Sequence, residues 1–186
     1  MTGSPYPSNF LPPLTLVIGG ARSGKSRLAE RLVTLTARPR FYIATAQAWD
    51  DEMRARIDQH RQDRGPDWLT VEAPLDLARA LHAVPVGAAV LVDCATLWLS
   101  NHLLAEHDLE AQAAELLMAI MACAAPVVVV SNEVGWSVVP DNALARRFRD
   151  AQGRLNQQLA AQAGLVVAVM AGLPMVLKGS LPGGVA

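Results

Sequence analysis

The sequence predicts an α/β fold in which helices cover a mostly parallel sheet that has one antiparallel edge. Apolar strand segments and helical segments alternate along the chain, an order typical of right-handed β-α-β crossovers. Several strand segments are apolar without interruption, such as the four valines at 127–130, as expected for strands buried on both faces. The joint Gly172-Leu173-Pro174 is too short for a crossover helix and predicts a hairpin between the last two strands.

Each element is predicted from its apolar pattern, in chain order. A β-branched run predicts the first strand at 14–18, and later apolar segments predict strands at 41–45, 88–92, 126–131, 165–171 and 175–177. Apolar residues at helical spacing predict helices at 25–36, 50–64, 75–83, 97–106, 109–123 and 142–163. The last helix carries an apolar stripe that packs on the sheet or, where it is exposed, on another subunit.

Length and composition predict one domain at 14–179, between tails at 1–13 and 180–186 of the 186-residue chain. The net charge of −1 gives no general attraction to nucleic acid or to an anionic membrane. No apolar run approaches the roughly 18 residues that a membrane span needs. Cys94 and Cys123 lack metal-ligand spacing and indicate a reducing compartment. The first thirteen residues contain no Lys or Arg, so a secretory signal is not indicated and we expect a cytoplasmic protein.

The segment Gly19-x-x-x-x-Gly24-Lys25-Ser26 follows the first strand and opens the first helix. This is the pattern of the phosphate-binding loop (P-loop) of nucleoside triphosphatases and kinases, in the strand–loop–helix context that it requires. Glycines let successive N–H groups point at an anion, and the helix adds the positive end of its dipole. The lysine reaches the β- and γ-phosphates, and the serine hydroxyl is a ligand for Mg²⁺. The alternative is a glycine turn that only joins a strand to a helix. The predicted nucleotide contacts are Gly19, Gly20, Ala21, Arg22, Ser23, Gly24, Lys25 and Ser26.

Two carboxylates follow predicted strands that end at the same edge of the sheet. Asp93 ends the strand at 88–92, where P-loop enzymes keep the carboxylate that holds Mg²⁺ or its waters. Its alternative role is to cap the next helix. Glu133 follows the strand at 126–131 and competes with Asp93 for the metal-related role.

His60 is the histidine with the most distinctive setting. In the predicted helix at 50–64 it shares one face with Met53, Ile57 and Arg64. A partly shielded imidazole is neutral and nucleophilic near pH 7, and the nearby arginines suit phosphate oxygens. The alternative is a surface histidine among charged residues.

Four blocks of the sequence together resemble a known family. They are 19–27; 42–47 with Asp51-Glu52-Met53 and Arg56-Ile57-x-x-His60-Arg61; 92–101; and 131–157, which includes Ser131-Asn132-Glu133-Val134-Gly135 and Gly153-x-x-Asn156-Gln157. In these residues the chain resembles the bifunctional adenosylcobinamide kinase and adenosylcobinamide-phosphate guanylyltransferase of cobalamin biosynthesis. The blocks run in the family's order from about residue 14 to 178. The chain departs at Trp136, where the family has a smaller or more flexible residue, and in its added N-terminal tail.

The resemblance implies a three-layer, P-loop NTPase-like (RecA-like) fold and an enzyme that works in two steps. It would phosphorylate the aminopropanol hydroxyl of adenosylcobinamide with ATP or GTP. It would then transfer GMP from GTP to adenosylcobinamide phosphate through a guanylylated histidine and release pyrophosphate. The catalytic residues implied are His60 and Lys25, with Mg²⁺ held by Ser26 and Asp93, in a homo-oligomer that is a trimer in the family. The further nucleotide contacts implied are Thr45, Ala46, Gln47, Arg61, Gln62, Asp63, Arg64, Glu72 and Asp93.

Two other functions fit the motifs that the residues carry. One is a P-loop kinase of another small hydroxyl substrate, in which His60 is structural. The other is a nucleotide-gated interaction module without catalysis. Only the bifunctional enzyme is expected to retain label from α-labelled GTP after denaturation, which separates it from the plain kinase. Turnover without an added partner protein would exclude the interaction module.

Overall fold

One seven-stranded sheet organises the computed structural model, which describes residues 10–47, 51, 65–136 and 138–184. The strand order is β3-β2-β4-β5-β1-β6-β7, and every neighbouring pair is parallel except β6 and β7. The predicted parallel sheet with an antiparallel edge is therefore confirmed. The strands are β1 (Leu14–Gly19), β2 (Arg40–Ala44), β3 (Trp68–Glu72), β4 (Ala89–Asp93), β5 (Val127–Asn132), β6 (Leu165–Met170) and β7 (Leu173–Lys178).

Helices follow most of the strands, as the apolar spacing predicts. Five of the six predicted helices are present within the described residues, with ends that shift by up to two residues. The sixth, predicted at 50–64, lies outside the described residues except for Asp51, which is helical. The described helices are α1 (Lys25–Thr34), α2 (Leu77–His82), α3 (Ala95–Leu104), α4 (Leu109–Ala122) and α5 (Ala143–Gln162).

The helices form two layers on opposite faces of the sheet. Helix α1 packs through residues such as Leu32 on the face of β1 that carries Val17. Helices α2 to α5 pack on the other face, where Leu16 and Leu155 belong to the larger apolar cluster. Each fully buried leucine contributes about 1.5–3 kcal/mol through the hydrophobic effect. The three layers hold the carboxyl ends of the parallel strands at one edge, where ligands of such sheets bind.

Strand β3 is absent from the sequence-based prediction. It lies at the edge of the sheet beside β2, and none of its five residues is fully buried. An edge strand needs no continuous apolar run, because only part of its surface packs on the protein. The sequence feature that indicates this strand is the aromatic and β-branched content of Trp-Leu-Thr-Val.

The hairpin between β6 and β7 is confirmed, but its turn lies earlier than predicted. Ala171 and Gly172 form the two-residue turn, with φ angles of 52° and 80°. Positive φ at both positions matches the twist of a two-residue hairpin. Leu173 and Pro174, predicted as part of the joint, belong to β7 instead. A proline is tolerated there because β7 is an edge strand.

The residues just before β1 also pack on the domain. Leu11 is buried in the α1-side cluster, and the carbonyl of Pro13 accepts a hydrogen bond from the N–H of Val127 at 2.9 Å. The body of the protein therefore includes Leu11–Pro13, whereas residues 1–9 of the predicted tail lie outside the described residues. Within the described ranges, no helix is long and apolar enough to cross a membrane.

Candidate functional site: the P-loop and the strand ends around it

The P-loop joins β1 to α1 in a conformation that depends on glycine. Gly24 precedes the first helical residue with a φ of 93°, a left-handed angle that residues with a side chain rarely adopt. The Lys25 ammonium donates a hydrogen bond to the Gly20 carbonyl at 3.1 Å, so the lysine folds back across the loop. Gly24 has no side chain to cap the first N–H groups of α1, and such groups attract anions.

Two neighbouring strands hold the loop in place. The N–H of Glu133, just after β5, donates to the Gly19 carbonyl at 3.1 Å. On the other side, the N–H of Gly172 in the hairpin turn donates to the Ser23 carbonyl at 2.9 Å. These backbone bonds connect the loop to both of the strands that flank β1. The P-loop position is therefore determined by β5 and by the β6–β7 turn.

Gly19 and Gly20 are adjacent in the loop but differ in the space around them. A methyl group on Gly19 would lie 2.5 Å from the Val169 carbonyl oxygen and 2.6 Å from Ser23 Oγ, whereas one on Gly20 would meet nothing within 4 Å. Overpacking of this kind costs about 1–3 kcal/mol. Because the loop must shift to relieve these contacts, we expect Gly19→Ala to weaken GTP binding about tenfold, a loss of about 1.4 kcal/mol. We expect Gly20→Ala to change the affinity by less than about twofold.

Titration calorimetry with GTP and Mg²⁺ measures both affinities. Thermal unfolding of each variant controls for loss of the fold. Equal affinities of the two folded variants would contradict the role assigned to Gly19.

Asp93 ends β4 at the same edge of the sheet as the loop. Strand β5 lies between β4 and β1, so Asp93 is two strand spacings, or about 10 Å, from the loop strand. Burial and the charge of Asp93 raise the pKa of the neighbouring Cys94 thiol to about 12, and the charge of Lys25 acts in the opposite direction. Because this raised pKa keeps the buried thiol protonated, Cys94 is a core residue and not a nucleophile.

The oxygen donors at this edge suit Mg²⁺. Ser26 lies in the first turn of α1, and the half-buried Asp93 supplies a carboxylate. Within the described residues no group of three or more His, Cys, Asp or Glu side chains could hold a metal by itself. One hydroxyl and one carboxylate are what Mg²⁺ uses when phosphate oxygens and waters complete its octahedron. The donor set therefore fits a cation that arrives with a nucleotide.

Thr45 lies after β2 and supports the segment that follows Asp93. It is fully buried, and its hydroxyl donates to the Cys94 carbonyl and accepts from the Cys94 N–H, both at 2.8 Å. The Asn101 side chain in α3 donates to the Thr45 carbonyl at 2.9 Å. Contact of Thr45 with nucleotide stays a prediction, because the hydroxyl is used within the protein. The half-buried neighbours Ala46 and Gln47 continue from this point along the sheet edge.

Glu72 ends the strand that lies farthest from the P-loop strand among those that carry described candidates. It ends β3 and is exposed, and four strand spacings, or about 19 Å, separate β3 from β1. A phosphate held by the P-loop is out of its reach. Its predicted role therefore requires a part of the ligand that extends along the sheet edge toward β2.

Glu133 faces a cavity that it shares with the P-loop. The cavity is also lined by loop residues from Gly19 to Ser23. The Glu133 carboxylate accepts a hydrogen bond from the Gly135 N–H at 2.6 Å, which folds the chain back after β5. Asp93 and Glu133 thus both lie at the predicted edge of the sheet, and each supplies a carboxylate there.

A buried polar network connects α5 to the end of β5 and was missed in the sequence. Ser131 Oγ donates to Asn156 Oδ1 at 2.6 Å, and Gln152 Nε2 donates to both of these oxygens at 2.9 Å. The Asn156 amide donates to the Asn132 carbonyl at 3.1 Å, and the Asn132 N–H donates to Thr96 Oγ1 at 2.7 Å. The sequence signal for this network is a pair of polar residues, Gln152 and Asn156, on a helix that otherwise packs through apolar side chains. The network fixes the strand end next to the P-loop.

Asn156→Ala is expected to lower the free energy of unfolding by about 2–4 kcal/mol, because the substitution leaves the Ser131 hydroxyl and the Asn132 carbonyl buried without these partners. Gln158→Ala, at an exposed position of the same helix, is expected to change it by less than about 0.5 kcal/mol. Urea denaturation measures both values. Equal effects of the two substitutions would contradict the role of the network.

The predicted nucleophile His60 and the neighbouring candidates Arg61, Gln62, Asp63 and Arg64 lie outside the described residues. Two of the remaining histidines have structural surroundings. His102 is buried against Trp98 and its Nδ1 lies 2.9 Å from Nδ1 of His107, and burial lowers the pKa of His102. Both line a separate cavity with Leu75 and Trp98 that contains no residue of the P-loop.

Known proteins resemble this chain in fold and in sequence. The flagellar accessory protein FlaH from Methanocaldococcus jannaschii superposes with a TM-score of 0.50 at 13% identity, covering 90% of this chain and 81% of that one, a likeness of fold alone. The bifunctional adenosylcobalamin biosynthesis protein CobP of Pseudomonas aeruginosa is 47% identical over 88% of this chain and 96% of its own length. The bifunctional adenosylcobalamin biosynthesis protein CobU of Escherichia coli is 42% identical over 89% of this chain and 99% of its own length.

The family model described as cobinamide kinase / cobinamide phosphate guanyltransferase matches residues 15–177, which include the P-loop, Asp93 and Glu133. The resemblance found in the four sequence blocks is therefore confirmed. This chain belongs to the cobinamide kinase / cobinamide phosphate guanyltransferase family.

Proposed function

We propose that this protein phosphorylates adenosylcobinamide and then transfers GMP from GTP to adenosylcobinamide phosphate, giving adenosylcobinamide-GDP and pyrophosphate. Family membership supports this activity, and one structural observation carries it: a P-loop with Lys25 folded across it, at the same edge of the sheet as the carboxylates of Asp93 and Glu133. These groups meet the needs of phosphoryl transfer, which depends on positioning and on charge stabilisation.

In the kinase step, the P-loop N–H groups and Lys25 hold the β- and γ-phosphates. The acceptor hydroxyl oxygen forms a bond to the γ-phosphorus and releases its proton to water, and the bond from that phosphorus to the β–γ bridging oxygen breaks. The nucleoside diphosphate leaves with the bridging oxygen. Ser26 and Asp93 would hold Mg²⁺, which neutralises charge on the phosphate oxygens when it is bound. ATP and GTP both carry the triphosphate that these groups recognise.

In the transferase step, a histidine nitrogen attacks the α-phosphorus of GTP and pyrophosphate leaves. The phosphate of adenosylcobinamide phosphate then attacks the same phosphorus, and the imidazole leaves. Imidazole suits this role because it is neutral when it attacks and a good leaving group when protonated. We assign the nucleophile to His60, with Arg61 and Arg64 stabilising charge on the α-phosphate. Thr45, Ala46, Gln47, Gln62, Asp63 and Glu72 complete the proposed nucleotide contacts.

We also propose that the enzyme is a cytoplasmic homo-oligomer. We expect it to be a trimer, as the family resemblance implies. Large apolar side chains are exposed, among them Val138 (91% exposed) and Leu173 (71%). Exposed apolar surface of this kind is typical of subunit interfaces. Cys94 and Cys123 are unpaired thiols, as in proteins of reducing compartments. Light scattering after size exclusion measures the subunit number.

Labelled GTP tests the two activities separately. Incubation of the enzyme with adenosylcobinamide, Mg²⁺ and γ-labelled GTP is expected to label the corrinoid first. The same incubation with α-labelled GTP is expected to label it only after the phosphorylated product has formed. A corrinoid labelled only from γ-labelled GTP would indicate a plain kinase. A corrinoid that gains label from neither form of GTP would overturn the proposed function.

A further inference from the structure

A cavity of about 690 Å³ opens directly beside the P-loop. Loop residues 19–23 and Glu133 form its polar side. Its other side is apolar and includes Val134, Trp136, Met170 and Leu177. Three of these side chains are large and exposed: Trp136 by 79%, Leu177 by 60% and Met170 by 51%. Apolar groups grouped in this way beside a polar centre mark ligand sites.

Phosphoryl transfer requires an acceptor next to the loop. The acceptor oxygen must come within about 3–3.5 Å of the γ-phosphorus, in line with the leaving oxygen. The acceptor must therefore bind in a space that is continuous with the P-loop. Two further cavities, one beside His102 and one beside Arg31, are lined by no residue of 19–24. The cavity beside Trp136 is lined by residues 19–23 and is therefore continuous with the P-loop.

We infer that this cavity, which we call the acceptor cavity, binds the corrinoid substrate of both reactions, with Trp136, Met170 and Leu177 as the wall for its ring. The inference rests on the proposed function and deepens it. Cobinamide joins a hydrocarbon-rich ring to an arm that ends in a hydroxyl, so it needs an apolar wall next to a phosphate site. The volume of about 690 Å³ lies in the range of pockets for small molecules, about 300–1,000 Å³.

The wall is held at a fixed place relative to the loop. Met170 ends β6 and Leu177 lies in β7, and the turn between these strands donates the Gly172 N–H to the Ser23 carbonyl at 2.9 Å. The apolar wall and the phosphate loop are thus joined by a backbone hydrogen bond. A ring resting on this wall would place its hydroxyl arm at a constant distance from the γ-phosphate. The large, exposed indole of Trp136 extends this apolar wall toward solvent and adds surface against which the ring can pack.

Steady-state kinetics of the kinase step with the full-length enzyme tests the acceptor cavity. The variants are Trp136→Ala, Leu177→Ala and the double substitution, with Met118→Ala as a matched control. Met118 is 67% exposed on α4 and lies outside the cavity. We expect the double variant to raise the KM for cobinamide at least about tenfold, while the KM for the nucleotide changes less than about twofold. The control is expected to leave both values unchanged.

Tryptophan emission gives a second readout that does not depend on turnover. Corrinoids absorb light in the range of indole emission, so cobinamide bound against Trp136 is expected to quench it. Wild-type enzyme should lose more emission on titration with cobinamide than Trp136→Phe, which keeps the apolar wall but removes the indole.

Three results would overturn the acceptor cavity. The first is an unchanged KM for cobinamide in the double variant. The second is an increase confined to the KM for the nucleotide, which would assign the cavity to the nucleotide base. A change of subunit number without a change in KM would assign the surface to a subunit interface. Failure of the wild-type enzyme to phosphorylate cobinamide would instead overturn the proposed function, and the acceptor cavity with it.

Discussion

Lys25→Ala is expected to lower kcat/KM of the kinase step by about 10³-fold. The lysine is buried in the loop, with its ammonium 3.1 Å from the Gly20 carbonyl, and it is the charged side chain best placed to follow the transferred phosphate. Its positive charge offsets the negative charge that spreads over the phosphate oxygens in the transition state. No other lysine is near in sequence, because the chain contains only one more, at position 178.

Lys178→Ala provides the matched control for charge. The Lys178 ammonium donates to the carbonyls of Ala160 and Ala161 at the end of α5, at 3.1 and 2.9 Å, and is exposed. Its loss is expected to affect stability slightly, as for other cations near a helix C-terminus, and to leave kcat/KM within about twofold. Steady-state kinetics with cobinamide and GTP measures both variants. A Lys25→Ala enzyme with near-normal kcat/KM would contradict the assigned role.

His60→Ala is expected to abolish guanylyl transfer while the kinase step continues. Without the imidazole, no covalent GMP intermediate forms, and the transferase rate is expected to fall by at least about 10³-fold. The kinase step needs the P-loop and Lys25, so its kcat is expected to stay within about threefold of the wild-type value. Adenosylcobinamide phosphate should then accumulate as the final product. Chromatographic separation of the corrinoid products measures the two steps in one reaction.

His82→Ala is the control for a general effect of losing a histidine. His82 lies in the last turn of α2 and is exposed, so both steps should continue at the wild-type rate. Loss of both activities in His60→Ala would indicate a structural role for this residue. Unimpaired guanylyl transfer in that variant would place the nucleophile elsewhere.

Most of the fold could be predicted from sequence because the buried strands are apolar without interruption. The four valines of β5 leave no ambiguity about burial, and the P-loop pattern identifies the strand before it and the helix after it. Strand β3 could not be recognised this way, since an edge strand packs through only part of its surface. The hairpin was recognised from its glycine and proline, but the turn itself depends on positive φ at Ala171, which no sequence pattern indicates.

The site was predictable where one continuous segment carries it. The loop from Gly19 to Ser26 is such a segment. The network of Ser131, Gln152 and Asn156 is different, because its members lie up to 25 residues apart and meet only when α5 packs on β5. The acceptor cavity likewise forms where the hairpin meets the P-loop. Contacts of this kind follow from tertiary packing and have no local signature.

We propose that this chain carries GMP on His60 between GTP and the corrinoid. Intact-protein mass spectrometry after exposure to GTP and Mg²⁺, followed by peptide mapping, tests it most directly. We expect one GMP per chain, lost in acid and located on His60, and no adduct on His60→Ala. An enzyme that makes adenosylcobinamide-GDP without an adduct, or with one on a different residue, would contradict it.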